Sequence, residues 1–334
     1  MNNPTPRHFG IIGAGAFGTA LAANLRRNGH RVTVWAHHTP LVDIINTRHE
    51  NTRHLPGIAL DAGIQATGII GDLYGADCYL FACPAQHMRE LARQLAPAGD
   101  VTAPVIIASK GIERGTGLLP HQTLQEVWPQ SAIAILSGPS FAAEMARGLP
   151  TAITLAANQA VAQDLAPALA TRTFRPYVTD DVTGAALGGA LKNVIAIACG
   201  IVAGRKLGDN ARAALITRGL SEMIRLGQKI GARADTLMGL SGMGDLVLTC
   251  SSPQSRNMSL GIALGEGQEL ADILAARNSV TEGVHTAEAA QTLARKSGVD
   301  MPVVEAVCGI LQGTLAIDEA INGLLARPLK SEQA

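Results

Sequence analysis

One glycine-rich segment restricts the fold of this chain more than any other feature of its sequence. Gly13, Gly15 and Gly18 form a GxGxxG pattern that follows a short apolar segment, residues 9–12, and opens a helical pattern at residues 17–27. In such a strand–turn–helix unit, the first glycine permits a tight turn, the second lets phosphates approach the backbone, and the third lets helix and strand pack closely. The alternative is a purely structural turn. In this context we predict a dinucleotide site.

The first half of the chain alternates apolar segments with helical patterns. The predicted buried strands are residues 9–12, 31–35, 78–82, 105–108, 133–136 and 151–155. Helical patterns fall between or after them at residues 17–27, 86–95, 119–128 and 159–170. This alternation predicts an α/β Rossmann domain with a mostly parallel, doubly wound sheet and helices on both faces.

The second half contains helical patterns with almost no strand pattern after Asp181. They lie at residues 182–203, 210–230, 286–296 and 302–312. We therefore expect a dinucleotide-binding domain of residues 1–180 and an all-α substrate and catalytic domain of residues 181–334. Residues 182–204 are long and apolar, but Lys192, Asn193 and several glycines within them favour a buried helix over a membrane span.

Composition argues against several kinds of partner. The chain has 27 basic and 27 acidic residues, so its net charge of zero argues against binding nucleic acid or anionic membranes. The five cysteines and nine histidines lack the spacing of a disulfide framework or a metal site. No apolar signal core precedes the first strand, and we expect a cytoplasmic protein without a metal. The alanine-rich, apolar helical half favours a homodimer.

The end of the second predicted strand indicates which dinucleotide binds. A carboxylate at this point would bind the ribose 2′-hydroxyl of NAD, but the chain instead continues from Trp35 to His37 and His38. No acid is present to repel a 2′-phosphate, and either imidazole can donate a hydrogen bond to one. NADP is therefore favoured over NAD. The alternative is that both histidines are solvated loop residues.

Two lysines are candidates for the reaction centre. Lys110 directly follows a predicted strand, at the sheet edge where ligands of open α/β sheets bind. Lys192 is the only charged residue in its apolar helix, where a desolvated amine loses its proton readily and suits general acid/base chemistry. Gly188 and Gly189, one turn earlier, are expected to leave open space beside that amine. The alternatives are an exposed strand-end lysine at position 110 and a snorkelling lysine at position 192.

Polar residues farther along the chain suit a phosphorylated substrate. Asp245 lies in a glycine-rich segment, where it either orients Lys192 and a substrate hydroxyl or caps a helix. Ser255, Arg256 and Asn257 precede a helical pattern at residues 258–264, and such groups at a helix start suit a phosphate dianion. The alternative is a Ser/Asn cap beside a surface arginine.

Six sequence motifs together resemble one enzyme family. They are GAGAFGTALA at 13–22, SKGIE at 109–113, SGPSFAAE at 137–144, LKNVIAIACG at 191–200, GLSGMGDL at 239–246 and SRN at 255–257. In this order they resemble the bacterial NAD(P)-dependent glycerol-3-phosphate dehydrogenases over about residues 8–327. That family has an N-terminal Rossmann domain and a helical C-terminal domain. Arginine is frequent there beside the position of His37, whereas this chain has His38.

The resemblance implies reversible hydride transfer to C2 of dihydroxyacetone phosphate, giving glycerol 3-phosphate for glycerophospholipid synthesis. It implies that Lys192 gives and takes the proton, with Lys110 and Asp245 also at the reaction centre. The implied substrate contacts are Lys110, Gly138, Ser140, Lys192, Asp245, Thr249, Ser255, Arg256 and Asn257. With the glycines of the turn, the implied cofactor contacts are Ala16, Phe17, His37, Lys110, Ala142, Arg256, Val280 and Glu282, to which the end of the second strand adds His38.

Two other functions fit the same sequence features. One is a different Rossmann-plus-helical dehydrogenase that acts on a hydroxy acid or sugar acid, with the arginine facing a carboxylate. The other is a nonenzymatic NADP-binding sensor, which needs no proton donor and so leaves Lys192 unexplained.

Overall fold

An eight-stranded sheet forms the centre of the N-terminal half in this computed structural model, which describes residues 5–97, 101–277 and 280–328. The strands of the sheet are β1 (His8–Ile12), β2 (Arg31–Trp35), β5 (Ile64–Thr67), β6 (Cys78–Phe81), β7 (Val105–Ile107), β8 (Ile133–Ser137), β9 (Thr151–Ala156) and β10 (Phe174–Thr179). Their spatial order is β10-β9-β8-β7-β6-β1-β2-β5. A separate hairpin consists of β3 (Glu50–Asn51) and β4 (Leu55–Ala59).

The sheet is parallel except where β9 runs antiparallel to β8. The chain passes from β1 to β2 and β5 on one side and then returns to β6 on the other side of β1. This reversal is a topological switch point, and ligands of open α/β sheets bind outside the carboxyl ends of the strands at such a point. The glycine-rich turn follows β1 there, as the sequence predicted.

Helices cover both faces of the sheet. In the N-terminal half they are α1 (Ala16–Arg27), α2 (Thr39–Arg48), α3 (Met88–Leu95), α4 (Pro120–Val127), α5 (Ala142–Ala146) and α6 (Gln159–Leu169). The helices of the C-terminal half are α7 (Val182–Gly204), α8 (Asp209–Lys229), α9 (Ala234–Met238), α10 (Asp245–Ser251), α11 (Arg256–Gly265), α12 (Leu270–Ala275), α13 (Glu282–Lys296), α14 (Pro302–Leu311) and α15 (Ile317–Leu325). The predicted α/β plus all-α architecture is confirmed.

The apolar helix α7 is the centre of the C-terminal half. Its glycines allow α11 to pack backbone against backbone: a Cβ on Gly200 would lie 2.2 Å from Met258 O, and one on Gly261 would lie 2.1 Å from Ile197 O. Among the described residues, α7 is the one helix long and apolar enough to cross a membrane, and that segment is entirely buried within the protein. The prediction of a core helix is therefore confirmed.

Alternate residues of each strand supply two different cores. Ile11, Leu80 and Ile106 face the core under α1, α5 and α6, which is confined to the N-terminal half. Their neighbours Ile12 and Phe81 face a second core that continues without a break into α7 and the helices around it. The alternation follows from the two-residue period of a strand. The second core joins one face of the sheet to the helical half.

Several observed elements have no predicted counterpart, among them β10, α9, α10, α12 and α15. Residues 39–67, for which no elements were predicted, contain α2, the β3–β4 hairpin and the edge strand β5. Only Leu41 and Ile45 are buried in α2, so its sequence has little helical periodicity. Helix α13 begins at Glu282, four residues before the predicted start at 286.

Candidate functional site

The glycine-rich turn leaves room for a ligand at one of its three glycines. Gly13 has φ +118°, and a Cβ there would lie 2.9 Å from the Ala82 carbonyl. A Cβ on Gly18 would lie 2.0 Å from Gly13 O, so both positions need glycine for close packing. By contrast, a Cβ on Gly15 would contact nothing within 4 Å, and no side chain caps α1. The open N-terminus of α1 therefore fits phosphate oxygens, which the N–H groups and helix dipole attract.

Five other residues implied as cofactor contacts lie in α1, at the start of α5 and beyond the end of β2. Ala16 and Phe17 are half-buried at the start of α1, and Ala142 is half-buried at the start of α5, which packs against α1. His37 and His38 are exposed beyond the end of β2, where His38 precedes α2. The first turn of α2 contains no acidic residue, so this edge of the site remains compatible with a 2′-phosphate.

Two lysines share one carboxylate at the centre of the site. Lys192 Nζ donates to Asp245 Oδ1 at 2.6 Å, and Lys110 Nζ donates to Asp245 Oδ2, also at 2.6 Å. Lys110 Nζ also lies 5.7 Å from the centre of the Phe17 ring, beside the glycine-rich turn. The structure thus brings together three residues that are far apart in sequence, and Lys110 connects the predicted dinucleotide site to the helical half.

Burial determines the protonation of this cluster. Lys192 is 7% exposed and Asp245 is 1% exposed, so neither charge is solvated by bulk water. Burial, with the nearby Lys110 charge, lowers the pKa of Lys192 to about 8, although Asp245 opposes the shift. Burial alone would raise the pKa of Asp245, but the two lysines outweigh it and hold that pKa below its usual value. Lys192 is neither snorkelling nor exposed, and it is poised to exchange a proton near neutral pH.

The local backbone explains how Asp245 reaches the lysines. A π-helical turn, Leu240–Gly244, precedes α10, so Gly244 occupies the cap position and the Asp245 side chain points to the lysines instead of capping the helix. A Cβ on Gly188 would lie 2.5 Å from the Ser241 carbonyl of this turn. Glycine in α7 is therefore required for the close approach.

The prediction that Gly188 and Gly189 leave open space beside the Lys192 amine is wrong. A Cβ on Gly189 would lie 2.7 Å from Ser137 Oγ and 3.4 Å from Lys110 Cγ. Both glycines are needed because the π-helical turn and the Lys110 side chain pack directly against α7.

Three further implied substrate contacts border the lysines. Thr249, one turn after Asp245, accepts a hydrogen bond from Lys192 Nζ at 2.9 Å. Gly138 O lies 3.4 Å from Lys110 Nζ and also accepts a hydrogen bond from Ser140 Oγ at 2.9 Å. The β8–α5 loop is thereby placed beside the same ammonium group.

The Ser-Arg-Asn segment starts α11 and is held mainly by structural hydrogen bonds. Ser255 Oγ accepts from Met258 N at 3.2 Å, so the helix-cap interpretation of this serine is correct. Asn257 is buried; its Nδ2 donates to Asn193 Oδ1 at 2.9 Å and its Oδ1 accepts from Gly283 N at 3.0 Å. The Arg256 side chain is exposed, and it remains available to an anion.

Glu282 lies at the start of α13 with one oxygen lacking a partner. Its Oε1 accepts from Ala85 N at 3.3 Å, whereas Oε2 is buried with no hydrogen bond to the described residues. Burial raises the pKa of Glu282 to about 7. A buried acceptor without a partner fits a donor group on a bound ligand. Val280, two residues earlier, is exposed.

The sequence interpretation assigned no role to Asn193, which joins the elements of the site. Asn193 follows Lys192 on α7, and its partner Asn257 follows Arg256 on α11. A second polar residue beside a lone buried lysine was the available signal. Among the described residues no cluster of histidine, cysteine, aspartate or glutamate could hold a metal ion.

Comparisons with known proteins agree with this geometry. Residues 8–163 match the model for the NAD-dependent glycerol-3-phosphate dehydrogenase N-terminus, and residues 181–322 match that for the C-terminus. The chain is 55% identical to a glycerol-3-phosphate dehydrogenase [NAD(P)+] of Parvibaculum lavamentivorans, covering 98% of each chain. It is 51% identical to one of Rhodospirillum rubrum, covering 97% of this chain and 94% of that one.

Solved structures show the same relationship. The glycerol-3-phosphate dehydrogenase of Coxiella burnetii superposes with a TM-score of 0.92 at 39% identity, covering 97% of this chain and 100% of that one. D-mandelate dehydrogenase with NADH, at 15% identity and a TM-score of 0.62, covers 92% of this chain and 98% of that one and shares the fold alone. This chain belongs to the NAD-dependent glycerol-3-phosphate dehydrogenase family.

Proposed function

We propose that this protein is an NAD(P)-dependent glycerol-3-phosphate dehydrogenase that reversibly reduces dihydroxyacetone phosphate to sn-glycerol 3-phosphate and so supplies glycerophospholipid synthesis. The observation that carries the proposal is the buried Lys192–Asp245–Lys110 cluster beside the glycine-rich turn. It places a proton donor of suitable pKa next to the site that fits a dinucleotide. A binding protein without an enzymatic step has no use for such a group.

Lys192 is the general acid of the reduction. When bound, the reduced dinucleotide supplies the hydride that is transferred to C2 of the substrate. Negative charge then develops on the C2 oxygen, and Lys192 Nζ donates a proton to it; in the reverse reaction the same amine accepts the proton. Asp245 holds the amine in place, and Thr249 accepts a second hydrogen bond from the same amine, which fixes its orientation. Lys110 adds a second positive charge close to the developing oxyanion.

The substrate phosphate lies at the start of α11 in this proposal. The guanidinium of Arg256 pairs with the dianion, and the second N–H of the Asn257 amide and the hydroxyl hydrogen of Ser255 complete the contact. The Ser140 hydroxyl and the Gly138 loop border the other end of the substrate, beside Lys110. Binding energy at the phosphate, remote from C2, then aligns the carbonyl for hydride transfer.

The dinucleotide is NADP or NAD, with NADP favoured. Gly13, Gly15 and Gly18 would hold its diphosphate, and the residues that would surround the remainder are Ala16, Phe17, His37, His38, Lys110, Ala142, Arg256, Val280 and Glu282. The absence of an acidic residue at the described end of β2 and in the first turn of α2 supports NADP. The unpartnered Glu282 Oε2 supports a hydrogen bond from the carboxamide of the nicotinamide.

The test is oxidation of NADPH and NADH by the purified protein with dihydroxyacetone phosphate, with unphosphorylated dihydroxyacetone as the matched control. We expect rapid oxidation that requires the phosphate, and faster turnover with NADPH at low cofactor concentration. If the cofactor is oxidised only when a keto acid replaces dihydroxyacetone phosphate as the substrate, the protein belongs to the rival class of hydroxy-acid dehydrogenases. Cofactor binding without turnover on any of these carbonyls would make it a sensor.

Three properties of the whole molecule complete the proposal. We propose two domains, residues 1–180 and 181–334, because the last strand ends at Thr179 and only helices follow among the described residues. A homodimer is supported by exposed apolar side chains such as Met238, Met243 and Val247 near α10. A cytoplasmic location is supported by five free, buried cysteines. Light scattering of the purified protein tests the dimer.

A further inference from the structure

The β3–β4 hairpin is fixed against the glycine-rich turn by one buried amide. Asn51 is fully buried; its Nδ2 donates to Ala14 O at 2.9 Å and to Thr19 Oγ1 at 2.8 Å. Its Oδ1 accepts from the backbone N–H of His54 at 3.0 Å. All three bonds are internal, so they fix the tip of the hairpin beside the N-terminus of α1. The side chains of the tip are therefore held next to the dinucleotide site.

Four basic side chains, which we call the cationic rim, lie at this tip or within electrostatic range of it: His38, Arg53, His54 and Arg256. Burial lowers the pKa of His54, and the charges of Arg53, Arg256 and His38 lower it further, which shows that all three lie within electrostatic range. No carboxylate among the described residues counteracts this effect at His54. The Arg53 guanidinium is exposed and forms no hydrogen bond or ion pair with the described residues.

Glu282 offsets part of this charge at Arg256, but Arg53, His54 and His38 have no such neighbour among the causes that shift the pKa of His54. Grouped cations repel one another, so such a cluster favours binding of an anion. The rim extends from His38, beyond the end of β2, to Arg256, at the start of α11. A dinucleotide bound as proposed has its adenosine ribose at the first of these ends and its nicotinamide at the second. The diphosphate therefore lies between them, opposite the hairpin tip. The backbone of the glycine-rich turn contacts only one side of it, and the remaining oxygens need other donors.

We propose that Arg53, positioned by Asn51, binds the diphosphate of the dinucleotide from the side opposite the glycine-rich turn, with His54 flanking it. This inference rests on the proposed function, because it assumes a dinucleotide at the turn. A guanidinium is suited to the role, since its planar N–H groups match two oxygens of a phosphate. The diphosphate is common to NADH and NADPH, so Arg53 contributes to binding both and does not distinguish them.

The test compares Arg53→Met with Arg53→Lys and with the control Arg172→Met, which removes the same charge from an exposed arginine next to β10, at the far end of the sheet. Dissociation constants for NADPH and NADH are measured by fluorescence titration without substrate, followed by kcat and KM. We expect Arg53→Met to weaken binding of both cofactors about fivefold to tenfold, as for loss of one solvent-exposed hydrogen bond of about 1 kcal/mol. The kcat stays within about twofold, Arg53→Lys is intermediate, and the control matches the wild type.

Two results would overturn the proposal. Unchanged dissociation constants for both cofactors would show that Arg53 does not contact the dinucleotide. A loss confined to NADPH would place Arg53 on the 2′-phosphate and not on the diphosphate. The titration needs no turnover, so it judges Arg53 even if the wild-type protein fails to reduce dihydroxyacetone phosphate. That failure would contradict the proposed function alone.

Discussion

Replacing Lys110 by methionine should change the pH at which the enzyme loses activity. Methionine keeps most of the length of the side chain but removes the charge that shares Asp245 with Lys192. The Lys110 charge helps to lower the pKa of Lys192 to about 8. In Lys110→Met the pKa of Lys192 therefore rises. Because the proposed mechanism of reduction needs Lys192 protonated, activity should persist to higher pH.

The size of the shift follows from the geometry of the shared carboxylate. Two ammonium groups on opposite oxygens of one carboxylate are roughly 5 Å apart, and at an effective dielectric constant of about 20 their repulsion is about 3 kcal/mol, or about two pKa units. Lys110 is half-buried, so solvent and salt screen part of this repulsion. We expect a rise of about one unit in the pKa of Lys192.

The assay is kcat/KM for dihydroxyacetone phosphate between about pH 6 and about pH 10, which reports ionisations of the free enzyme. Lys110→Met should have lower activity overall, but its alkaline limb should lie about one unit above that of the wild type. Arg172→Met, which removes an exposed cation next to β10 at the far end of the sheet, is the control and should leave the limb in place. An alkaline limb that stays fixed or moves to lower pH in Lys110→Met would refute the electrostatic coupling.

Three other changes test separate parts of the structure. Lys192→Ala should reduce kcat by about 10²–10⁴-fold with unchanged cofactor binding, and near-normal turnover would remove Lys192 from the mechanism. Replacing His37 and His38 by alanine should raise KM for NADPH more than for NADH, and equal effects would contradict the 2′-phosphate assignment. Glu222, which accepts hydrogen bonds from Val303 N and Val304 N, has a pKa that burial raises from 4.5 to about 7. Its protonated form is favoured by folding, so the stability it adds is complete below pH 4.5 and is lost as the pH rises through about 7. Urea unfolding at about pH 5 and about pH 8 should show a loss of about 3 kcal/mol in the wild type that is absent in Glu222→Gln, and a pH-independent difference between the two would contradict this.

The sequence was most informative where burial is continuous along the chain. The apolar strands and α7 were predicted because an element that is buried on all sides is apolar at nearly every position. Helix α2 and strand β5 were not predicted, since an element at the sheet edge buries few residues. The isolated charge of Lys192 likewise indicated a candidate reaction centre, because a cation in an apolar helix is costly.

The contacts of the site depend on three-dimensional packing that the sequence does not display. Lys110 and Asp245 are 135 residues apart, and neither position alone indicates that they share a hydrogen bond. Gly188 and Gly189 suggested empty space, whereas their missing side chains admit another backbone and a lysine. A glycine is therefore compatible with close approach of another element as well as with a cavity, and only the neighbouring elements decide between the two.

The core that continues from one face of the sheet into α7 has a consequence for how such enzymes diversify. Ile12 and Phe81 pack in the same apolar cluster as Leu187 and Leu191 of α7. A helical half transplanted from a distant dehydrogenase would meet a sheet surface shaped for different side chains, and the resulting cavities and clashes would each cost about 1–3 kcal/mol. Exchange of whole halves between lineages is therefore penalised. New substrate preferences in this architecture should arise by point substitutions around the lysines, within a pair of halves that evolve together.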